Sequence, residues 1–408
     1  MARPTKRRKA WRRVPPEMTA VRIVCVAGAR PNFMKLAPLL RALQQDKSFE
    51  GILVHTGQHY DEAMSGSFFR DLEIGDPKYF LQVGSGSHAE QTAEIMKRFD
   101  AVLTEVAPAA VVVVGDVNST AACSLVAKKR QVSLVHVEAG LRSLDRTMPE
   151  EINRLVTDAI SDLFLVTEES GRRNLLREGV AETRINLVGN LMIDSLRANL
   201  DRSQRSDILG RLGLERGGYG VLTLHRPANV DDEVQFDEIM RAIEVISEDL
   251  PVCFPVHPRT RARVLARSRS GRITFTDPLG YLDFLCLVSG SAAVFTDSGG
   301  IQEETTVLGV PCYTLRENTE RPSTVEHGTN VLAGTTCESI LASWTKFGLQ
   351  RVGATVPPLW DGQAAARSVA ALRAFFGLPC ASELVAADSA SAAAVRSGIT
   401  HTTSSHST

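Results

Sequence analysis

Short apolar runs alternate along this chain with stretches of helical period. In the first half, runs at 21–27, 51–57, 109–116, 132–139, 162–167 and 185–189 predict strands. Most are apolar at successive positions rather than at alternate ones, so a sheet covered by helices on both faces is expected. Helical spacing predicts helices over 32–46, 88–106, 118–130, 149–161 and 168–178. Pro149 followed by Glu150 and Glu151 suits a helix start, because proline fits the first turn and acids favour the positive end of the helix dipole. A polar link is expected around 201–218. The pattern then begins again, with strands at 219–225, 252–257, 273–277, 292–297, 310–315 and 329–334. An amphipathic segment, GQAAARSVAALRAFFGL, closes it at 362–378.

Strand–helix alternation repeated in this way indicates parallel βαβ units. The expected class is therefore α/β, and the 408 residues exceed what one compact core accommodates, so about two domains are expected. The expected architecture is two Rossmann-like, doubly wound domains facing a central cleft. The expected boundaries are a basic arm at 1–20, a first domain at 21–189, a second at 190–361, a helix at 362–378 returning to the first domain, and a disordered tail at 381–408.

Net charge is −1, so no global field favours nucleic acid or anionic membrane, and neither is expected as a partner. The stretch MARPTKRRKAWRRVPPEMTA is basic but lacks a following apolar region with a cleavage site, so a short tail is expected rather than a signal peptide. No stretch nears the ~18 apolar residues that span a membrane. Cys25, Cys123, Cys253, Cys286, Cys312, Cys337 and Cys380 are scattered without metal-ligand spacing. They are expected to be small core residues in a reducing, cytoplasmic compartment. No metal site and no cofactor are signalled.

Candidate chemistry sits at the ends of the apolar runs. VVVVGDVNST carries Asp116, and SLVHVEAGLRSLDRTMPEEINR carries Glu138, Glu150 and Glu151. An ionised carboxylate is costly beside such runs, and the C-terminal ends of strands are where open α/β sheets bind ligands. Together these acids point to general acid/base chemistry. Taken singly, each serves as well as a helix cap or an arginine partner.

The first strand–helix turn, AGARPNFMKLAPL, lacks a dinucleotide fingerprint but offers Arg30 at the strand end and Lys35 one turn into the helix, which suits an anion. In FTDSGGIQEE, Ser298, Gly299 and Gly300 form a tight turn with exposed amides, again suited to phosphate. Glu304 in the helix that follows would repel phosphate but could accept both hydroxyls of a ribose. Arg316 and Arg321 lie in the charged loop after the next strand. His225 ends a strand and is expected to face the same cleft, with His257 a weaker candidate of that kind.

In order, the segments GARPNFMKLAPL, HTGQHYDEAMS, GSGSHAEQTA, VVGDVNST, HVEAGLRSLDRTMPEEINR, LVGN, HRPANV, FPVHPRT, TDSGGIQEE and LRENTERPSTV resemble the non-hydrolysing UDP-N-acetylglucosamine 2-epimerase family. The resemblance runs from about 21 to 335. It implies a GT-B-like fold, a homodimer and UDP-N-acetylglucosamine as the small-molecule substrate. It also implies a reversible reaction in which UDP is eliminated to a 2-acetamidoglucal and added back to give UDP-N-acetylmannosamine, a step in surface-polysaccharide synthesis. Asp116, Glu138, Glu150 and His225 are then the catalytic residues, with Glu151 left to helix capping. Arg30, Lys35, Ser298, Gly299, Gly300, Glu304 and Arg321 are the substrate-binding ones. Gln58 and His59 are candidates for holding a second, activating substrate molecule, although Tyr60-Asp61 and the HRPANV segment depart from the regulated members.

Competing readings are a hydrolysing 2-epimerase, a 2-epimerase of a related UDP-2-acetamido sugar, a glycosyltransferase of the same fold, and a non-catalytic nucleotide-sugar sensor. The several acids count against the last two.

Overall fold

The computed structural model describes residues 20–57, 71–256, 260–261, 263–264, 272–350 and 355–379. Gln58, His59, His257 and both termini therefore lie outside the described residues.

Two parallel sheets organise the chain. The first has the order β3-β2-β1-β4-β5-β6-β7 and the second β10-β9-β8-β11-β12-β13. In the first sheet β1 is Val21–Ala27, β2 Phe49–His55, β3 Tyr79–Phe80, β4 Ala110–Val114, β5 Ser133–Val137, β6 Leu163–Val166 and β7 Ile185–Leu187. In the second β8 is Gly220–Thr223, β9 Val252–Pro255, β10 Ile273–Thr276, β11 Ala293–Thr296, β12 Cys312–Thr314 and β13 Asn330–Leu332. All five residues of β4 are buried, as are β5 beyond its first residue and all of β11. Each such Val, Leu or Phe contributes about 1.5–3 kcal/mol from burial, which is why these runs are apolar on both faces. The protein is thus an α/β chain with two doubly wound, Rossmann-like domains.

The strand order reverses twice, between β1 and β4 and between β8 and β11. At such a switch point the flanking loops diverge and leave a crevice beyond the strand ends. Arg30 and Asp116 follow β1 and β4, while His225 and Ser298 follow β8 and β11.

Several expected boundaries shift. Strand β4 stops at Val114 rather than at 116, because Gly115 takes a left-handed φ of 66° that breaks the ladder. Strand β5 stops at Val137, and Glu138 follows in the left-handed region at φ 69°, uncommon for a residue with a side chain. His225 lies beyond the end of β8. Arg30 opens the helix Arg30–Gln45 instead of preceding it in a turn. The expected polar link at 201–218 is partly helical, its polarity being one face of Leu191–Ser203 and Ile208–Leu212.

The helix Leu191–Ser203 packs on Arg30–Gln45 of the first domain and also on Tyr281–Ser289 and Gly299–Leu308 of the second. The last helix, Ala364–Phe376, lies against Arg30–Gln45, placing Ala365, Val369 and Leu372 in the core with Leu36 and Leu40. Buried Asp194 accepts the free N–H groups of Ala364 (3.1 Å) and Ala365 (2.7 Å), and Trp360 donates its indole N–H to the Thr167 carbonyl at 3.0 Å.

Candidate active site

On the first domain, Asp116 stands just past the Gly115 turn with about a quarter of its side chain exposed. Its carboxylate pairs with Arg154, which is 2% exposed. Asn153 donates to the Asp116 carbonyl at 2.9 Å. Arg154 also donates through Nε and Nη2 to Glu151 Oε2, at 2.9 and 2.7 Å. Glu151 in turn accepts the Ser143 N–H (3.0 Å), the Leu144 N–H (3.2 Å) and the Ser143 hydroxyl (3.1 Å).

Glu151 is therefore not a cap of its own helix. It is buried, and it organises the preceding loop and the arginine behind Asp116. Burial pushes its carboxyl up, but the Ser143 amide and Arg154 outweigh this and hold it below its ordinary value. Glu150 occupies the same first turn and is half-buried.

Glu138 is 4% exposed and is gripped by two cations from opposite domains, Lys35 and Arg321. Burial would raise its carboxyl, and Arg321 and Lys35 reverse that, so it stays ionised below the usual carboxylate range. Lys35 is itself buried against this carboxylate instead of standing free for an anion, since a buried acid this close requires a counter-charge. Arg30 is exposed at the start of its helix.

Across the cleft, Asp297 lies just beyond β11 with no exposure. It accepts the backbone N–H of His225 and of Arg226 (2.9 Å), and lies 2.8 Å from His225 Nδ1. Burial pushes the Asp297 carboxyl up, while His225 and these amides bring it below its ordinary value. An ionised carboxylate on Nδ1 fixes the imidazole tautomer and leaves Nε2 as the working nitrogen. The His225 side chain is 46% exposed, which gives that nitrogen access to a ligand.

Ser298 precedes the helix Gly299–Leu308, and a Cβ on Gly299 would meet Glu320 Oε1 at 2.7 Å and lie 3.8 Å from Arg321 Nη2. Only glycine lets the turn approach that acid–arginine cluster. Buried Glu320 accepts from Arg316 at 2.7 Å and from Arg226 at 3.3 Å. Arg321 Nε lies 2.7 Å from Glu303 Oε1. Burial raises the Glu303 carboxyl to about 7; Arg321 opposes the rise and Glu138 adds to it. Glu304, 3% exposed, is pushed up to about 8 by burial and by Glu303. Among the described residues Arg321 Nη1, Arg316 Nη1 and Glu304 Oε1 are buried without a hydrogen-bond partner.

The structure thus joins Lys35, Glu138 and Arg321 in one cluster, sets the Ser298–Gly299 turn beside it, and places Asp116 on Arg154. Four residues of this network escaped the sequence: Arg154, Asp297, Glu303 and Glu320. Arg154 stood three places beyond Glu151 on the same helix face, a spacing that signals an ion pair. Asp297 directly followed an apolar run, as Asp116 does, and was passed over. No group of three or more His, Cys, Asp or Glu placed to hold a metal, and no helix long and apolar enough to cross a membrane, occurs among the described residues.

A family model described as UDP-N-acetylglucosamine 2-epimerase matches residues 41–373. A UDP-N-acetylglucosamine 2-epimerase of Methanocaldococcus jannaschii is 41% identical over 333 residues, 79% of this chain and 90% of that protein. A UDP-2,3-diacetamido-2,3-dideoxy-D-glucuronate 2-epimerase of Pseudomonas aeruginosa is 38% identical over 327 residues, 79% of this chain and 91% of that protein. A crystal structure of Methanocaldococcus jannaschii UDP-GlcNAc 2-epimerase in complex with UDP-GlcNAc and UDP superposes with a TM-score of 0.81 at 39% identity, covering 86% of this chain and 99% of that one. With the match running through both sheets and through the clustered acids and arginines between them, the chain belongs to the UDP-N-acetylglucosamine 2-epimerase family.

Proposed function

We propose that this protein interconverts UDP-N-acetylglucosamine and UDP-N-acetylmannosamine without hydrolysis, by eliminating UDP across C1–C2 and adding it back. The observation that carries this reading is Glu138, a buried carboxylate clasped by Lys35 and Arg321 beside the Ser298–Gly299 turn. A proton-accepting group and diphosphate-binding groups share one spot.

The C2 proton is weakly acidic, so C1–O cleavage leads and negative charge grows on the departing UDP. Arg321, Arg316, Lys35, Arg30 and the Gly299 and Gly300 amides are the groups to meet that charge. The unpartnered, buried Nη1 atoms of Arg321 and Arg316 support an anion at this place. Glu304 accepts the ribose hydroxyls.

As the diphosphate draws Lys35 and Arg321 toward itself, Glu138 loses its counter-charges and becomes a stronger base. One carboxylate takes the C2 proton, the C2–H pair forms the C1=C2 bond, and the C1–O pair leaves with UDP. A second carboxylate returns a proton to the opposite face as UDP re-adds at C1. Asp116, Glu138 and Glu150 supply these roles, and His225, set by Asp297, acts on the leaving phosphate.

The similarity to the Pseudomonas aeruginosa enzyme favours a second reading, the same reaction on a UDP-diacetamido uronic sugar. Separate incubations with UDP-N-acetylglucosamine and with the UDP-diacetamido uronic sugar in D₂O, followed by NMR, test both. The expected result is a mixture with UDP-N-acetylmannosamine carrying deuterium at C2. Free N-acetylmannosamine as the main product would assign hydrolysis. Turnover of the diacetamido uronate alone would assign the second reading.

A further inference from the structure

His136 lies on β5 with no exposure, and nothing in the proposed reaction uses it. Its Nε2 is 2.9 Å from the Gly115 carbonyl oxygen, and its Nδ1 is 2.6 Å from Asp158 Oδ1. A carbonyl only accepts. Asp158, on the helix Pro149–Ile160, also receives the Gly140 N–H at 3.0 Å and lies 2.7 Å from Arg142 Nη1. Two further donors on the other oxygen select the ionised carboxylate. Burial would raise its carboxyl, and His136 with Arg142 brings it below its ordinary value.

Acceptors therefore face both ring nitrogens, and Nε2, set against a carbonyl, can only donate. The charged groups around it are Asp158, Arg142 from the loop after β5, and Glu138 two residues along, whose carboxylate the ring also stabilises.

Gly115 is the turn that aims Asp116, and it is tied to β5 twice. Its N–H donates to the Val137 carbonyl at 3.1 Å, and its carbonyl accepts from His136. The Gly115 φ of 66° is a conformation that glycine adopts freely, so the turn is held in one setting by these two ties, of which the one to His136 fixes its carbonyl.

We propose that His136 is a positioning residue of the reaction: it clamps the Gly115 carbonyl and so sets the aim of Asp116, while Asp158 and Arg142 hold the ring. This rests on the reading of Asp116 as a catalytic acid.

Two substitutions divide the two hydrogen bonds. In His136→Gln the side-chain amide N–H reaches where Nε2 stood and keeps the bond to Gly115. In His136→Asn it stands near Nδ1 and keeps only the bond to Asp158. The expected result is a kcat loss of about 100-fold for His136→Asn, the scale for a catalytic group misplaced by about 1 Å. KM and UDP affinity should stay near wild type, and His136→Gln should keep most of kcat. Equal losses in the two variants, or a loss confined to KM, would overturn the clamp.

Asp116→Asn is run beside them. If Asp116→Asn turned over normally, the role of Asp116 would fall and the positioning role with it. If Asp116→Asn were inactive and His136→Asn fully active, only the positioning role would fall. Should the variants fail to fold, ¹⁵N NMR of histidine-labelled wild-type protein at the assay pH decides. Nε2 of His136 should carry the proton it gives to the Gly115 carbonyl, and a bare Nε2 overturns the arrangement.

Discussion

Arg321 pairs with Glu138 across the two domains, 183 residues apart in the chain and both almost wholly buried. The same guanidinium lies against Glu303, and Glu320 also acts on it. Burial alone would make Arg321 a weaker cation, yet these carboxylates raise its basicity instead. A single arginine thus holds a candidate base of the first domain beside the Ser298–Gly299 turn of the second, where the diphosphate is proposed to bind.

Glu138→Gln should lower turnover by about 10²–10⁴-fold, the scale of lost general-base catalysis. UDP affinity should be kept or improved, because Lys35 and Arg321 lose an internal competitor. C2 deuterium exchange and calorimetric titration with UDP measure the two effects. A near-normal exchange rate would remove Glu138 from the chemistry.

Asp116 and Arg154 should separate function from support. Asp116 is partly exposed, so Asp116→Asn should fold with a melting temperature within a few degrees of wild type while losing turnover by about 10²–10⁴-fold. Arg154→Met strands the buried Glu151 without its cation and should cost about 3–5 kcal/mol of stability besides activity. Equal thermal stability of the two variants would contradict the assignment.

Glu304 predicts a pH signature. Its carboxyl is raised from 4.5 to about 8 in the folded protein. Between these values the native state keeps a proton that the unfolded chain has lost, so stability falls as pH rises through the window. Glu304→Gln removes this slope. Thermal melts without ligand should coincide near pH 4.5 and diverge in favour of the variant toward pH 8, by on the order of a few kcal/mol. UDP binding should weaken about tenfold, because one of the two oxygens proposed to accept the ribose hydroxyls becomes an NH₂ donor. Parallel melting curves would show that Glu304 is not held neutral by burial.

Asp194→Ala should loosen the returning helix. It removes the acceptor for the Ala364 and Ala365 amides, a cap loss of about 0.5–2 kcal/mol. Hydrogen exchange across 364–376 should quicken before that of β4 and β5. Unchanged protection there would mean that packing on Arg30–Gln45 suffices.

What the sequence determined by itself was local and periodic. Strands β4, β5 and β11 were legible because a parallel strand covered on both faces must be apolar at every position. The turn carrying Ser298 was legible because Gly299 and Gly300 mark where such a run has to stop, whereas Asp116 was expected inside its strand and the Gly115 turn before it was not foreseen. Tyr79–Phe80 was not legible: two half-buried residues pair at a sheet edge, and their sequence carries no period. The helix Leu191–Ser203 was not foreseen, and only its last three residues fell within the expected polar link, since its apolar contacts come from both domains and resemble no single amphipathic face. Only the tertiary structure decided the partners. It set Arg321 on Glu138, Asp297 under His225, Arg154 between Asp116 and Glu151, and His136 against Gly115. Charge pairing in a buried cleft depends on which strand ends converge, and that is settled by the strand order and the approach of the two sheets.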